Sequence, residues 1–195
     1  MQIVISLLRG VNMAGHNKMK MTDLSLLFKE IGFDDAETYI QSGNVVFTDP
    51  GSRSETGLTE KIEEAIREKF NYNIPVINRT SEELNAVLLQ NPFADEENFD
   101  PEKLAVIFLH EKPSESQIGK VRGVNYPPDK FMIAGKEIYI YCPNGFGRSK
   151  IYTGFFEGKM KVTGTGRNWK TLNALVKVAE KKIAEPVITN KTDHQ

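Results

Sequence analysis

The feature that most constrains this chain is the order in which its hydrophobic periodicity changes over roughly the first eighty residues, a span suited to one small folding unit. QIVISLL, residues 2–8, is a β-branched apolar run of the kind found in a strand covered by helices. Leu24, Leu27, Phe28 and Ile31 then fall at helical spacing behind a Thr22 or Asp23 cap, with Gly32 placed to end the helix. AETYIQSGNVVFT reads as two strands about a turn at Ser42 to Asn44. After the polar interruption DPGSRSETG, Leu58, Ile62, Ala65, Ile66 and Phe70 mark one stripe of an amphipathic helix, and IPVINRT returns to strand. Strand, helix, strand, strand, helix, strand is the split βαβ order of ferredoxin-like folds.

The theme returns further along. A bridging helix carries Leu84, Val87 and Leu88 behind Ser81, and LAVIFLH is a strand as strong as the first. SESQIGKVRG reads as a weak helix, FMIAGKEIYIYCP as a hairpin turning at Ala134 to Lys136, and SKIYTGFFEGKM as a second crossover helix despite Gly154. KVTGTG closes as a short strand, followed by a terminal helix with Trp169, Leu172, Leu175, Val176 and Ala179 facing inward. The expected class is therefore α+β: two ferredoxin-like (split βαβ) halves in tandem with a C-terminal helix. Residues 1–80 form the first half, 81–184 the bridging helix and second half, and 185–195 a frayed tail. This duplication rests on element order and hairpin placement, not on residue identity.

Composition narrows the function classes. The 195 residues suffice for an ordinary core, and a formal charge of −1 gives no global field toward nucleic acid or an anionic membrane. The single cysteine, Cys142, excludes an internal disulfide and points to a reducing, cytoplasmic setting. No basic leader precedes an apolar core and no long apolar run suggests a span, so no membrane association is expected. The sequence carries no signal of oligomeric state.

Three polar clusters sit where strands or hairpins meet loops, the usual place for functional groups. In the first, Arg9, Gly10, Asn12, Asn17 and Lys18 have the makings of an anion nest, but the spacing is not that of a Walker loop, and the alternative is a solvated surface loop. In the second, Gln41, Ser42, Gly43 and Asn44 offer amides and a hydroxyl that can orient a ligand and that are equally ordinary turn formers. The third joins Arg148, Ser149 and Lys150 of GFGRSK to Arg167, Asn168 and Trp169 of TGTGRNWK, each just ahead of a candidate helix. There Asn168 is a natural N-cap, and Trp169 is either a stacking surface or a core anchor.

Other chemistries find little footing. His16, His110 and His194 show no paired ligand spacing, so no metal is expected, and no cofactor motif is present. Cys142 on a strand reads as buried and inert, Ser42 and Ser149 lack a nucleophile elbow, and no two carboxylates pair for acid and base work.

LLRGVNMAGHNKMKM, TYIQSGNVVF, GRSK and TGRNWKTL, in that order, resemble the signatures of the bacterial family catalogued as domain of unknown function 1697. The chain departs from the family pattern at Gly166, where threonine is usual, and at Met13 and Ala14 in the glycine-rich loop. The resemblance implies an α+β protein of two ferredoxin-like halves with no established activity. It also implies that Arg9, Gly10, Asn12, Lys18, Gln41, Ser42, Gly43, Asn44, Arg148, Ser149, Lys150, Arg167, Asn168 and Trp169 lie in the family's signature patches. The expectation is a binding protein for a phosphorylated or anionic ligand, a nucleotide or a nucleic-acid segment, held in a polar cleft between the halves. The alternatives are an enzyme acting on a small phosphorylated substrate, and a structural or protein-interaction module.

Overall fold

The computed structural model describes residues 1–13, 15–51 and 54–184; the expected frayed tail lies outside them, as do Ala14, Ser52 and Arg53. The first half contains β1 (Gln2–Leu8), α1 (Met21–Glu30), β2 (Glu37–Tyr39), β3 (Asn44–Asp49), α2 (Glu55–Phe70), β4 (Val76–Thr80) and α3 (Ser81–Leu89). The second repeats the series as β5 (Leu104–Leu109), α4 (Glu115–Gly119), β6 (Lys130–Ala134), β7 (Glu137–Tyr141), α5 (Thr153–Met160), β8 (Gly164–Asn168) and α6 (Trp169–Ala184). Each half builds a four-stranded antiparallel sheet, ordered β2-β3-β1-β4 and β6-β7-β5-β8, so the two strand orders are the same. The fold is the tandem α+β arrangement expected.

The repeat is visible in individual bonds. Leu7 faces Asn44 across β1 and β3 as Phe108 faces Glu137 across β5 and β7, and Ile5 faces Arg79 as Val106 faces Arg167. The Leu8 amide donates to the Gly43 carbonyl at 2.8 Å, and Leu109 donates to Lys136 at the same length. Within each half, the residue after the first strand is tied in the same way: the Arg9 amide donates to Pro75 and the His110 amide to Thr163, both at 2.9 Å. Thr80 caps α3 by accepting from the Glu83 amide, and Asn168 accepts from the Thr171 amide at the start of α6. The bridging helix is therefore the counterpart of the terminal one.

Three apolar layers result. Leu24, Phe28, Ile62 and Ile66 of α1 and α2 cover one face of the first sheet, and Phe156 and Met160 of α5 cover one face of the second. Between the sheets, Leu84 and Val87 of α3 and Leu172, Leu175 and Val176 of α6 pack with Ile5, Leu7, Val106 and Phe108. Trp169 lies partly buried against this central layer, the core-anchor alternative. Two caps differ from the sequence reading. α1 begins at Met21 behind Lys20, whose side chain makes no cap bond, and Thr80 rather than Ser81 caps α3 through a capping box with Glu83. No described helix is long and apolar enough to cross a membrane.

Candidate functional site

The loop leaving β1 is held by its own polar side chains. Asn12, in the left-handed region at φ 55°, donates from Nδ2 to the carbonyls of Met19 and Gln41 at 2.8 and 2.9 Å and accepts from the Met19 amide at 2.8 Å. Asn17 donates to the Gly10 carbonyl at 3.1 Å. The β2–β3 turn crosses this exit so closely that a Cβ on Gly43, whose φ is +69°, would lie 2.9 Å from the Leu8 Cβ. The first two clusters are thus one structural unit, and Asn12 spends its amide on shaping it.

Beneath that crossing lies Arg167, 7% exposed and reaching from β8 into the first half. Its Nε donates to Asn44 Oδ1 at 2.5 Å, Nη1 donates to Thr165 Oγ1 and the Gly166 carbonyl, and Nη2 donates to the carbonyls of Leu8, Ser42 and Gly43. Arg79 on β4 mirrors it: Nη2 donates to the Leu109 carbonyl at 2.7 Å, Nη1 to the Asn78 carbonyl at 2.8 Å, and Nε to Glu137 Oε1 at 2.8 Å. The two clasps differ in the residue facing Nε. Arg79 meets a carboxylate, whereas every acceptor of Arg167 is neutral, and among the described residues no ion pair forms with it. Burial alone pushes the Arg167 guanidinium down to about 10, so it stays charged at neutral pH with its charge unbalanced.

A cleft of about 670 Å³ opens above Arg167 where the β1 exit loop and β2–β3 turn meet α5 and β8. Three charged side chains line it: Arg9, Glu157 and Arg167. Arg9 grips Glu157 across the halves through Nε–Oε1 at 2.8 Å and Nη2–Oε2 at 2.7 Å, and these hydrogen bonds hold the Arg9 guanidinium above its usual value. The Gly164 amide also donates to Glu157 Oε1, at 3.0 Å. Since Arg9 and Glu157 cancel, the lining keeps one net positive charge. The hydroxyls of Ser42, Thr153 and Thr165 and the start of α5, whose N-cap Tyr152 forms no side-chain cap bond, complete the polar surface.

Of the residues singled out from sequence, Arg9, Gly10, Ser42, Arg167 and Asn168 line this cleft. Asn44 lies below it against Arg167, and Gly43 sits at the crossing. Gln41 contributes its carbonyl to Asn12. Lys18 is exposed on the loop, where its carbonyl accepts from the Tyr72 hydroxyl at 3.4 Å. Arg148, Ser149 and Lys150 stand outside the lining: Ser149 bonds back to Ile151, and the Lys150 ammonium lies 5.3 Å from the Tyr126 ring centroid. Sequence reasoning did not find Glu157, Tyr152, Thr153 or the Arg79–Glu137 clasp. Aligning the two halves at Arg79-Thr80 and Arg167-Asn168, each an arginine followed by a helix cap, is the signal that exposes the pair. Cys142 is buried, and burial pushes its thiol up.

The architecture defines a two-fold tandem of ferredoxin-like units with an interdomain cleft. The chain belongs to the family described as "Protein of unknown function (DUF1697)", which it matches over residues 1–139. It is similar in fold to the conserved bacterial protein SP0830 from Streptococcus pneumoniae, with a TM-score of 0.69 and 22% identity over 92% of this chain and 99% of that one. No curated protein matches it.

Proposed function

We propose that the protein binds an anionic small molecule in the cleft between its halves, with Arg167 as the charge beneath the ligand. The observation that carries this reading is a buried guanidinium surrounded by neutral acceptors while its counterpart Arg79 is paired with Glu137. An unbalanced buried cation is costly, and an anion entering the cleft recovers part of that cost. All five N–H donors of Arg167 are engaged within the protein, so it acts through its field, while Arg9 and the lining hydroxyls are the groups that touch the ligand.

The cleft is local and its net charge is one, so affinity falls only gently with salt, unlike binding to a polyanion. The test is calorimetric titration of the wild type and Asn44→Asp with small carboxylates and phosphates at low salt. Asn44→Asp sets a carboxylate where the other half has Glu137 and balances Arg167. The wild type should bind at least one of these anions saturably and the variant should bind it far more weakly. No binding by the wild type, or equal binding by both, overturns the proposal.

A further inference from the structure

The chemistry of the lining narrows the ligand further, and this step rests on the anion-binding reading above. We infer that the ligand is an organic monoanion, a carboxylic acid with an apolar or aromatic body, and not a phosphate ester or nucleotide. The first ground is charge. Arg9 and Glu157 cancel and Arg167 leaves one positive charge, enough to balance a single carboxylate. A phosphate monoester near neutral pH, or a nucleoside diphosphate, brings further negative charge against Glu157, which two groups of the protein hold in the cleft.

The second ground is the wall. Val11, Met13, Ile40 and Tyr152 line the cleft, and Met13, Ile40 and Tyr152 are 66%, 47% and 58% exposed. Large apolar side chains facing a cleft and contributing little to the core suit a ligand with an apolar body, and pockets for small molecules are typically apolar with a few placed polar groups. Ile40 sharpens this, because its φ of 49° puts a β-branched residue in the left-handed region, where asparagine or aspartate is far more at ease. Backbone strain of this kind, retained at a cleft wall, points to selection for the side chain displayed.

The third ground is geometry. Arg9 is 41% exposed and binds Glu157 through Nε and Nη2, so its Nη1 can donate to an incoming carboxylate while Glu157 stays in place. The Ser42 hydroxyl, which accepts from Asn44 Nδ2 at 2.9 Å, keeps its own proton for such a ligand.

The experiment titrates the full chain with 3-phenylpropanoate, its uncharged amide, acetate, inorganic phosphate and ADP, reading heat and thermal shift, and repeats the series on Ile40→Asn. That variant relieves the backbone at an exposed site, so it is expected to fold. 3-Phenylpropanoate should bind at least about tenfold more tightly than each of the other four compounds, and Ile40→Asn should lose about tenfold of that affinity. Tighter binding of phosphate or ADP overturns the monocarboxylate inference while leaving the anion site standing. Equal binding of the amide removes the role of charge, and full affinity in Ile40→Asn removes the role of the wall. No binding by any of the four anions defeats the site itself.

Discussion

Arg79 and Arg167 occupy equivalent strand positions in the two halves, and each reaches across to a carbonyl at the end of the other half's first strand. The same construction serves two ends. On the Arg79 side the guanidinium meets Glu137, and the cleft of about 290 Å³ beside its neighbour Asn78, which Arg79 itself does not line, carries two acids, Glu55 and Glu111, and two bases, Lys112 and Lys136. On the Arg167 side asparagine replaces the carboxylate, and the cleft is about 670 Å³ with one positive charge to spare. A duplicated fold thus carries its own control: one clasp is closed by a carboxylate, and the other leaves its cation without an ion pair beside the larger cleft.

Substitutions separate the two sides. Arg79→Ala should have the largest effect, about 3–5 kcal/mol lost in urea unfolding, because it removes a buried guanidinium, strands the part-buried Glu137 carboxylate and leaves the Leu109 and Asn78 carbonyls without their donor. Arg167→Ala leaves carbonyls without donors but no buried charge, and should cost about 2–3 kcal/mol. Equal losses would erase the distinction between the clasps.

Asp35 supplies a further tie between the halves. Burial pushes its carboxyl up, yet the Thr48 amide at 2.9 Å, the Thr48 hydroxyl at 2.7 Å and Lys182 of α6 together hold it below its usual value of 3.8. A depressed folded value means that its contribution is present at neutral pH and fades as pH falls below that value. Asp35→Asn should therefore cost about 1–2 kcal/mol at pH 7, and the two proteins should converge in stability by acid titration.

Arg9→Ala and Glu157→Gln should each change stability by less than about 1 kcal/mol, since Arg9 is 41% exposed. Their effects on the cleft should diverge: Arg9→Ala brings its net charge to zero and weakens anion binding, while Glu157→Gln leaves two positive charges and strengthens it. The smallest effect concerns Cys142, whose buried, raised thiol should react with a thiol reagent in the native protein far more slowly than after unfolding.

The element order was legible because strand and helix periodicities are written in apolar residues, which also built the central layer from Ile5, Leu7, Val106 and Leu172. The cleft was legible in part. Arg9, Ser42 and Arg167 stood out as polar groups at strand ends, but their division of labour did not, because Arg167 spends most of its donors on backbone carbonyls that leave no trace in side-chain pattern. Glu157 looked like an ordinary helical acid until α5 turned it toward Arg9. Arg148 and Lys150 adjoin α5 in sequence, yet the Ser149 turn and the Tyr126 ring place them outside the cleft lining.

The central claim is that Arg167 is a buried cation lacking the partner its counterpart has. It is tested most directly by comparing the unfolding free energies of the wild type and Asn44→Asp at pH 7 and pH 3. The introduced carboxyl, facing Arg167, should ionise well below its unfolded value, so its stabilisation is present at pH 7 and shrinks as pH falls. The variant's stability relative to wild type should improve by about 1 kcal/mol between pH 3 and pH 7, near the ceiling of about 1.3 kcal/mol that an unfolded value of about 3.9 sets over that window. A difference independent of pH, or one that favours the variant more at pH 3 than at pH 7, would contradict the account.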